Sequence, residues 1–407
     1  MSHHHAATEA LAPGWWREHT WTVPQSMAER GRRALMLGLG GLALLGIGFA
    51  VGSKSAFQAY LVGYIYWLTI ALGCLGLQLL HHVTRGAWGL VIRRILEAGA
   101  RTLPWMALLF LPILLGIKDI YSWSNPEVMN ANEYIKHKQP YLNFGFFALR
   151  AAIYFAIWCF LALRLSKLSR DQDTAPADSD IWRRMQIYAA PGVLIYCLTV
   201  TFAAFDWLMS LNPLWASTIY GAYMIVCTGL STLAFVIVVA SLLVSEQPMS
   251  RAFAPRHFHD YGKLMFAFTM LWGYLSFSQF LIIWSANLPE EIQFYLTRYK
   301  HGWQWLGLAL VALHFALPFL ILLSSEIKRR PERLVKVALF MLVIRFVDLY
   351  WQTAPNFQAD SMLPDWRYLA AVLGVGGIWL WLFTRELSSR SLLPINAPNL
   401  AEALGHE

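Results

Sequence analysis

Apolar runs recur ten times along the chain, separated by short polar segments. They fall at about 34–52, 58–80, 103–121, 143–165, 186–208, 216–243, 261–284, 302–324, 334–353 and 366–385. Each lies near the ~20 residues that a helix needs to cross a hydrocarbon core. The pattern therefore predicts an all-α integral membrane protein of about ten transmembrane helices. The third run is the weakest, because Pro104 and Pro112 interrupt it and Lys118 and Asp119 close it. Proline within a membrane helix is tolerated where neighbouring groups take up the freed backbone. The sixth run is long enough to tilt or to leave the bilayer at one end.

The basic residues fix an orientation. With the N-terminus inside, the inner segments hold 23 of the 32 lysines and arginines and the outer segments hold seven. Arg150 and Arg345 remain within runs. Removing one span would place the later basic loops on the wrong side. Both termini are accordingly expected on the cytoplasmic side of the membrane. The first apolar run begins near Ala34, too late for a cleavable signal peptide. The His3, His4 and His5 run makes a poor metal site and carries no functional weight.

Composition sharpens the picture by exclusion. Hydrophobic residues are 57% and charged residues 14% of the 407, well under the charge of a soluble domain. The net charge of +8 reflects orientation against an anionic inner leaflet of lipids, and no loop carries a nucleic-acid-binding pattern. Cys74, Cys159, Cys197 and Cys227 all fall in apolar runs, where four small buried side chains are expected. None forms CxxC or CxxCH, so no iron–sulfur, c-type haem or zinc signature is present. The outer segments 118–142 and 285–301 mix acids, bases and aromatics, which suits either interfacial loops or docking of a peripheral protein. Segment 164–184, containing SRDQDTAPADSD, reads as a flexible linker.

Ionisable residues inside the spans are the candidate chemistry, because a charge in hydrocarbon is costly and usually faces protein or water. In VIRFVDLYW, Arg345 and Asp348 are spaced i,i+3 on one helix face. They could gate a proton path or only lock packing. Asp206, in FDWLMSLNPLW, and Arg150 lie at similar depth and could join them in one outward-opening cluster, extended by Ser276, Ser278 and Gln279. His314 sits near mid-span in ALHFALP and could relay a proton. No second mid-membrane histidine matches it for haem ligation. His81, His82, His259, Asp260 and Glu326, near the inner surface, could admit protons toward His314. Each is also an ordinary boundary group.

A faint echo links Asp206–Trp207 with Asn212–Pro213 to Asp348 and Trp351 with Pro355–Asn356. It is consistent with spans 2–5 and 6–9 forming two like-oriented groups. The implied organisation is an N-terminal segment 1–33, a flanking helix and loop 34–57, a first four-helix bundle 58–208, a second 209–353, an outer loop and flanking helix 354–390, and a tail 391–407.

The segment YLSFSQFLIIWSANLPEEIQFYLTR at 274–298 and RFVDLYW at 345–351 resemble the second quinone-binding-type membrane subunit of bacterial alternative complex III. That subunit is similar to the polysulfide-reductase membrane-subunit family, and the resemblance runs from about residue 30 to 390. It implies two four-helix bundles plus two flanking helices, in a complex that oxidises menaquinol or another quinol. Haem c and iron–sulfur clusters would belong to partner subunits. Those partners would be a multihaem cytochrome c, an iron–sulfur subunit of molybdopterin-enzyme type, a monohaem cytochrome c and a paralogous quinol-binding membrane subunit. In this resemblance the paralogue is the better candidate for the quinol site, Asp206, Arg345 and Asp348 match the kind of groups proposed for a proton half channel, and His314 would link them to the inner side. Asp119 or Asp206 could serve as the acid of a quinol site, but no histidine neighbours them. A quinol-oxidising subunit in its own right and a secondary transporter are the alternative readings.

Overall fold

The computed structural model describes residues 15–17, 21–176, 179–247 and 249–405; His3, His4 and His5 lie outside them. Among the described residues the chain is helical throughout and holds no β-strand. The long helices are α1 Gln25–Val51, α2 Ser53–Thr84, α3 Arg93–Leu115, α4 Phe144–Thr174, α5 Ile181–Trp207, α6 Tyr220–Val244, α7 Pro255–Ala286, α8 Trp303–Leu323, α9 Pro331–Thr353 and α10 Trp366–Ser388.

Nine of these, all but α9, are long and apolar enough to cross a membrane. The protein is a multi-pass, all-α membrane protein. The remaining helix, α9, is 23 residues long and so reaches about 35 Å at 1.5 Å per residue. Its lower hydropathy comes from exposed Lys336 and from Arg345, Asp348 and Gln352, the last three buried against other helices. Several helices extend past the apolar runs by a turn or more. The end of the molecule rich in arginine and lysine, which includes Arg93, Arg94, Lys328 and Arg329, is here the basic end.

α2 and α6 are almost enclosed by the others and form the axis of the fold. α2 packs against α3, α5, α6 and α10, and α6 packs against α5, α7 and α9. α4 lies against α5, and α8 closes on α7 and α9. The outward faces of α4, α5, α7 and α8 carry large apolar side chains such as Phe160, Leu194, Phe277 and Leu320, as lipid requires. Cys74 and Cys227 are buried, but Cys159 and Cys197 are only half-buried on α4 and α5, whose outer faces lie at the apolar surface. The expectation of four buried cysteines holds for two.

α3 is broken where its prolines predict, into short pieces separated by turns. Tyr64 and Tyr60 of α2 donate to the carbonyls of Met106 (2.8 Å) and Leu109 (2.6 Å), taking up backbone acceptors near the breaks. The predicted flexible linker is the main departure. Helix runs through Thr174 and resumes at Ile181. Its Asp173 is held by Arg94, and its Asp173 and Ala175 carbonyls accept from Asn396. Composition alone gave no sign of these tethers.

α1 and α10 lie together along their lengths, and their glycines explain how. A Cβ on Gly41 would stand 2.5 Å from the Gly374 nitrogen, and one on Gly38 would stand 2.8 Å from the Ile378 nitrogen. Small residues let membrane helices approach backbone to backbone, where packing replaces the absent hydrophobic drive. Gly41→Leu is expected to cost about 1–3 kcal/mol, because the opposing atoms are backbone and cannot move aside. A lowered melting temperature in detergent, with Gly40→Leu as the harmless control facing open space, checks this.

Candidate intramembrane ion-pair site

Arg345 and Asp348 form an ion pair on α9. The i,i+3 spacing sets them one turn apart on the face that meets α6 and α7. Tyr223 of α6 donates its hydroxyl to both Asp348 oxygens, at 2.9 and 2.7 Å. Trp272 of α7 donates its indole N–H to Asp348 Oδ2 at 3.2 Å and to the Tyr223 oxygen at 3.1 Å. Gln352, one turn further along α9, donates to the same Tyr223 oxygen at 3.2 Å. Tyr223 thus uses both its donor and its acceptor capacity. Arg345 Nε reaches Ser231 Oγ of α6 at 3.4 Å. Arg345 and Asp348 are both nearly inaccessible, so each charge is tolerable only because the other and these dipoles attend it.

His314 stands beside this cluster without bonding to it. Its ring lies 4.0 Å from the Trp272 ring, centroid to centroid, and neither ring nitrogen has a hydrogen-bond partner among the described residues. It sits in a π-helical turn, Val311–Ala316, within α8. Pro318 lies four residues on and has no N–H to offer the His314 carbonyl, which accounts for the widened turn there. Such turns in membrane helices often accompany functional sites.

Arg150 and Asp206 form a second, separate pair. Arg150 of α4 engages Asp206 of α5 in bidentate fashion, at 2.8 Å on each side. Tyr154 donates to Asp206 Oδ2 at 2.8 Å. Arg150 also donates to the Tyr141 carbonyl at 3.0 Å and lies 3.8 Å from the Tyr141 ring centre. The two carboxylates therefore share one design, a guanidinium and a tyrosine hydroxyl each. The single cluster expected from sequence is two, because α4–α5 and α6–α9 each satisfy their own charges. Among the described residues no hydrogen bond or ion pair joins them. Gln279 turns instead to Ser217, at 3.2 Å, in a crevice of about 270 Å³ between α5, α6 and α7 that Phe205, Ile282 and Glu291 also line.

The inner residues do not lead to His314. His259 is half-buried, Asp260 pairs with Lys263 at 3.6 Å, and Glu326 pairs with Arg330 and Arg333 at the surface, at 2.9 and 3.0 Å. His81 and His82 are buried at the end of α2, away from α8. Asp119 is half-exposed, and its carbonyl accepts from Gln58.

Two features escaped sequence reading. At the basic end, Glu97 of α3 accepts from Arg93 at 2.9 Å and from Arg94 at 2.7 Å. Arg93 continues to Gln172 and Ser169 of α4, at 2.8 Å each. The spacing in RRILE, i,i+3 and i,i+4, was the available signal. At the opposite end Arg298 is buried with no carboxylate within ion-pair reach among the described residues. It donates to the carbonyls of Phe294, Trp351 and Gln352, at 2.7, 3.1 and 2.6 Å, and so caps both the short helix Pro289–Thr297 and α9. Burial pulls its guanidinium down to about 9, which leaves it charged at neutral pH.

Among the described residues no group of histidine, cysteine and carboxylate side chains could hold a metal ion. What the arrangement offers is a pair of buried, hydrogen-bonded carboxylates and a nearby imidazole with free nitrogens: groups that can hold or pass a proton. No family model matches the chain, and no curated protein matches it.

Proposed function

We propose that this chain is a membrane subunit of a quinol:electron-acceptor oxidoreductase complex of respiration or photosynthesis, resembling the second quinone-binding-type subunit of alternative complex III. In that reading it builds the membrane frame and contributes a transmembrane proton relay, while haem c and iron–sulfur centres sit in partner subunits. The observation that carries the relay is the buried Arg345–Asp348 pair, bound by Tyr223 and Trp272, with His314 against the same tryptophan. A structural ion pair needs no such imidazole beside it. The segments at 274–298 and 345–351 carry the assembly.

Purification in mild detergent tests the assembly. The chain is expected to bring multihaem and monohaem cytochromes c, an iron–sulfur subunit and a second membrane subunit, with a c-type haem spectrum. A haem-free preparation of this chain alone would favour a secondary transporter. The basic end is proposed to face the cytoplasm of a bacterial inner membrane, with both termini there. A cysteine placed at Arg329 or Arg330, both exposed, is then expected to resist a membrane-impermeant thiol reagent in intact spheroplasts; ready labelling would reverse the topology.

A further inference from the structure

Eight buried polar atoms without a hydrogen-bond partner among the described residues lie at the basic end, on α2, α3 and the segment that follows α10. They are both amide atoms of Gln78, all four ring nitrogens of His81 and His82, Nε of Arg94 and Nη2 of Arg390. Gln78, His81 and His82 are spaced i, i+3 and i+4, and so occupy one face of α2. All three are essentially inaccessible. The imidazoles lie 5.4 Å apart, between the rings of Trp88 and Trp182 at 5.5–5.7 Å. Arg94 and Arg390 approach the same Glu97, at 2.7 and 3.6 Å.

Buried polar groups in folded proteins are nearly always hydrogen-bonded, to protein or to ordered water. Six unmet atoms on one turn of α2, with two more on Arg94 and Arg390, are too many to leave dry. The character of the demand identifies what fills it. The guanidinium and amide N–H groups must donate; the Gln78 carbonyl oxygen and one nitrogen of each neutral imidazole must accept. An anion meets only the first requirement and a cation only the second. Glu97 and Asp173 already balance most of the local positive charge. Water meets both, and each molecule would find the two to four polar partners that buried water needs.

We infer that the α2–α3 junction at the basic end binds a cluster of water molecules that bridges Gln78, His81 and His82 to the Arg94–Glu97–Arg390 network. This cluster makes the two imidazoles exchangeable with solvent although neither is accessible. It does not depend on the proposed assembly or on the Asp348 relay, since it lies on other helices.

Hydroxyl-radical footprinting of the full chain, with radicals generated in bound water by an X-ray pulse, tests the site. Two histidines of α7 calibrate it. His257 is buried, with both ring nitrogens bonded, to the Ala254 N–H at 3.0 Å and the Ala403 carbonyl at 2.8 Å; His259 is half-buried. His81 and His82 are expected to oxidise several-fold faster than His257, at a rate near that of His259. Oxidation no faster than His257 would overturn the inference. Gln78→Met gives an independent reading, because methionine matches the shape and favours helix. In a wet site it strands water and lowers the melting temperature. In a dry site it removes two orphaned atoms and raises it, and a rise would equally overturn the inference.

Discussion

Glu97→Ala is expected to be among the most damaging single substitutions in the protein, costing about 3–5 kcal/mol. One carboxylate, 2% exposed, faces Arg93, Arg94 and Arg390. Removing it leaves like charges together in a low-dielectric setting, with Asp173 holding only Arg94. Arg93 would keep Gln172 and Ser169, but these two neutral contacts replace only part of what its buried carboxylate partner supplies. Glu97→Gln should be milder, since the amide oxygen still accepts one hydrogen bond while the charge is lost. Glu97→Ala combined with Arg93→Met should recover part of the loss, because deleting both members of a buried pair is far less costly than deleting one. Thermal unfolding in detergent, followed by size-exclusion of a fluorescent fusion, ranks the three variants. A melting temperature for Glu97→Ala equal to that of the unaltered protein would mean that water reaches this network freely.

How much of this was legible before the structure divides along physical lines. Hydrocarbon demands long apolar helices with satisfied backbones, and that demand is written directly in the spacing of apolar residues. The spans, the weak third helix and the burial of Arg345, Asp348, Arg150 and Asp206 could all be read from it. Partnership could not. Nothing local says that Arg150 of α4 meets Asp206 of α5, or that Tyr223 and Trp272 converge on Asp348. An ion-pair spacing within one helix, as at Arg345 and Asp348, is visible; a pairing between helices depends on how they rotate against each other. The linker at 164–184 failed for the same reason. Its polar composition matches disorder, yet Asp173 serves Arg94 of α3 and Asn396 of the C-terminal segment.

The shared design of the two carboxylates narrows what each can do. Asp206 accepts a bidentate guanidinium and a tyrosine, with aromatic rings on the far side of Arg150. That geometry is rigid and fully used, and suits a lock between α4 and α5. Asp348 has the same kinds of partner plus an indole that touches an imidazole with free nitrogens. A proton leaving or reaching this group has a carrier beside it. Among the described residues no imidazole packs on the partners of Asp206, so the Asp348 site is the better candidate for the relay proposed above.

In the proposed complex, neutralising Arg345 and Asp348 together, as Arg345→Gln with Asp348→Asn, is expected to leave the assembly intact and to abolish any proton translocation beyond the protons that quinol oxidation itself releases. The double variant matters because Asp348→Asn alone strands Arg345 in a buried site, at a cost of about 3–5 kcal/mol, and a failure to fold would resemble a failure to pump. With both charges removed, the amide oxygen that Asp348→Asn introduces can still accept from Tyr223 and Trp272, so the contacts among α6, α7 and α9 persist. The measurement is the ratio of protons to electrons in liposomes containing the purified complex, with quinol oxidation as the internal control. Oxidation at a near-normal rate that releases only the two protons each quinol itself gives up, and moves none beyond them, supports a relay through this pair. His314→Phe should then reduce the ratio as well, since phenylalanine keeps the packing on Trp272 but cannot carry a proton. If the double variant pumps with unchanged stoichiometry, the pair serves only to fix α9 against α6, and the membrane frame alone remains as the role of this chain.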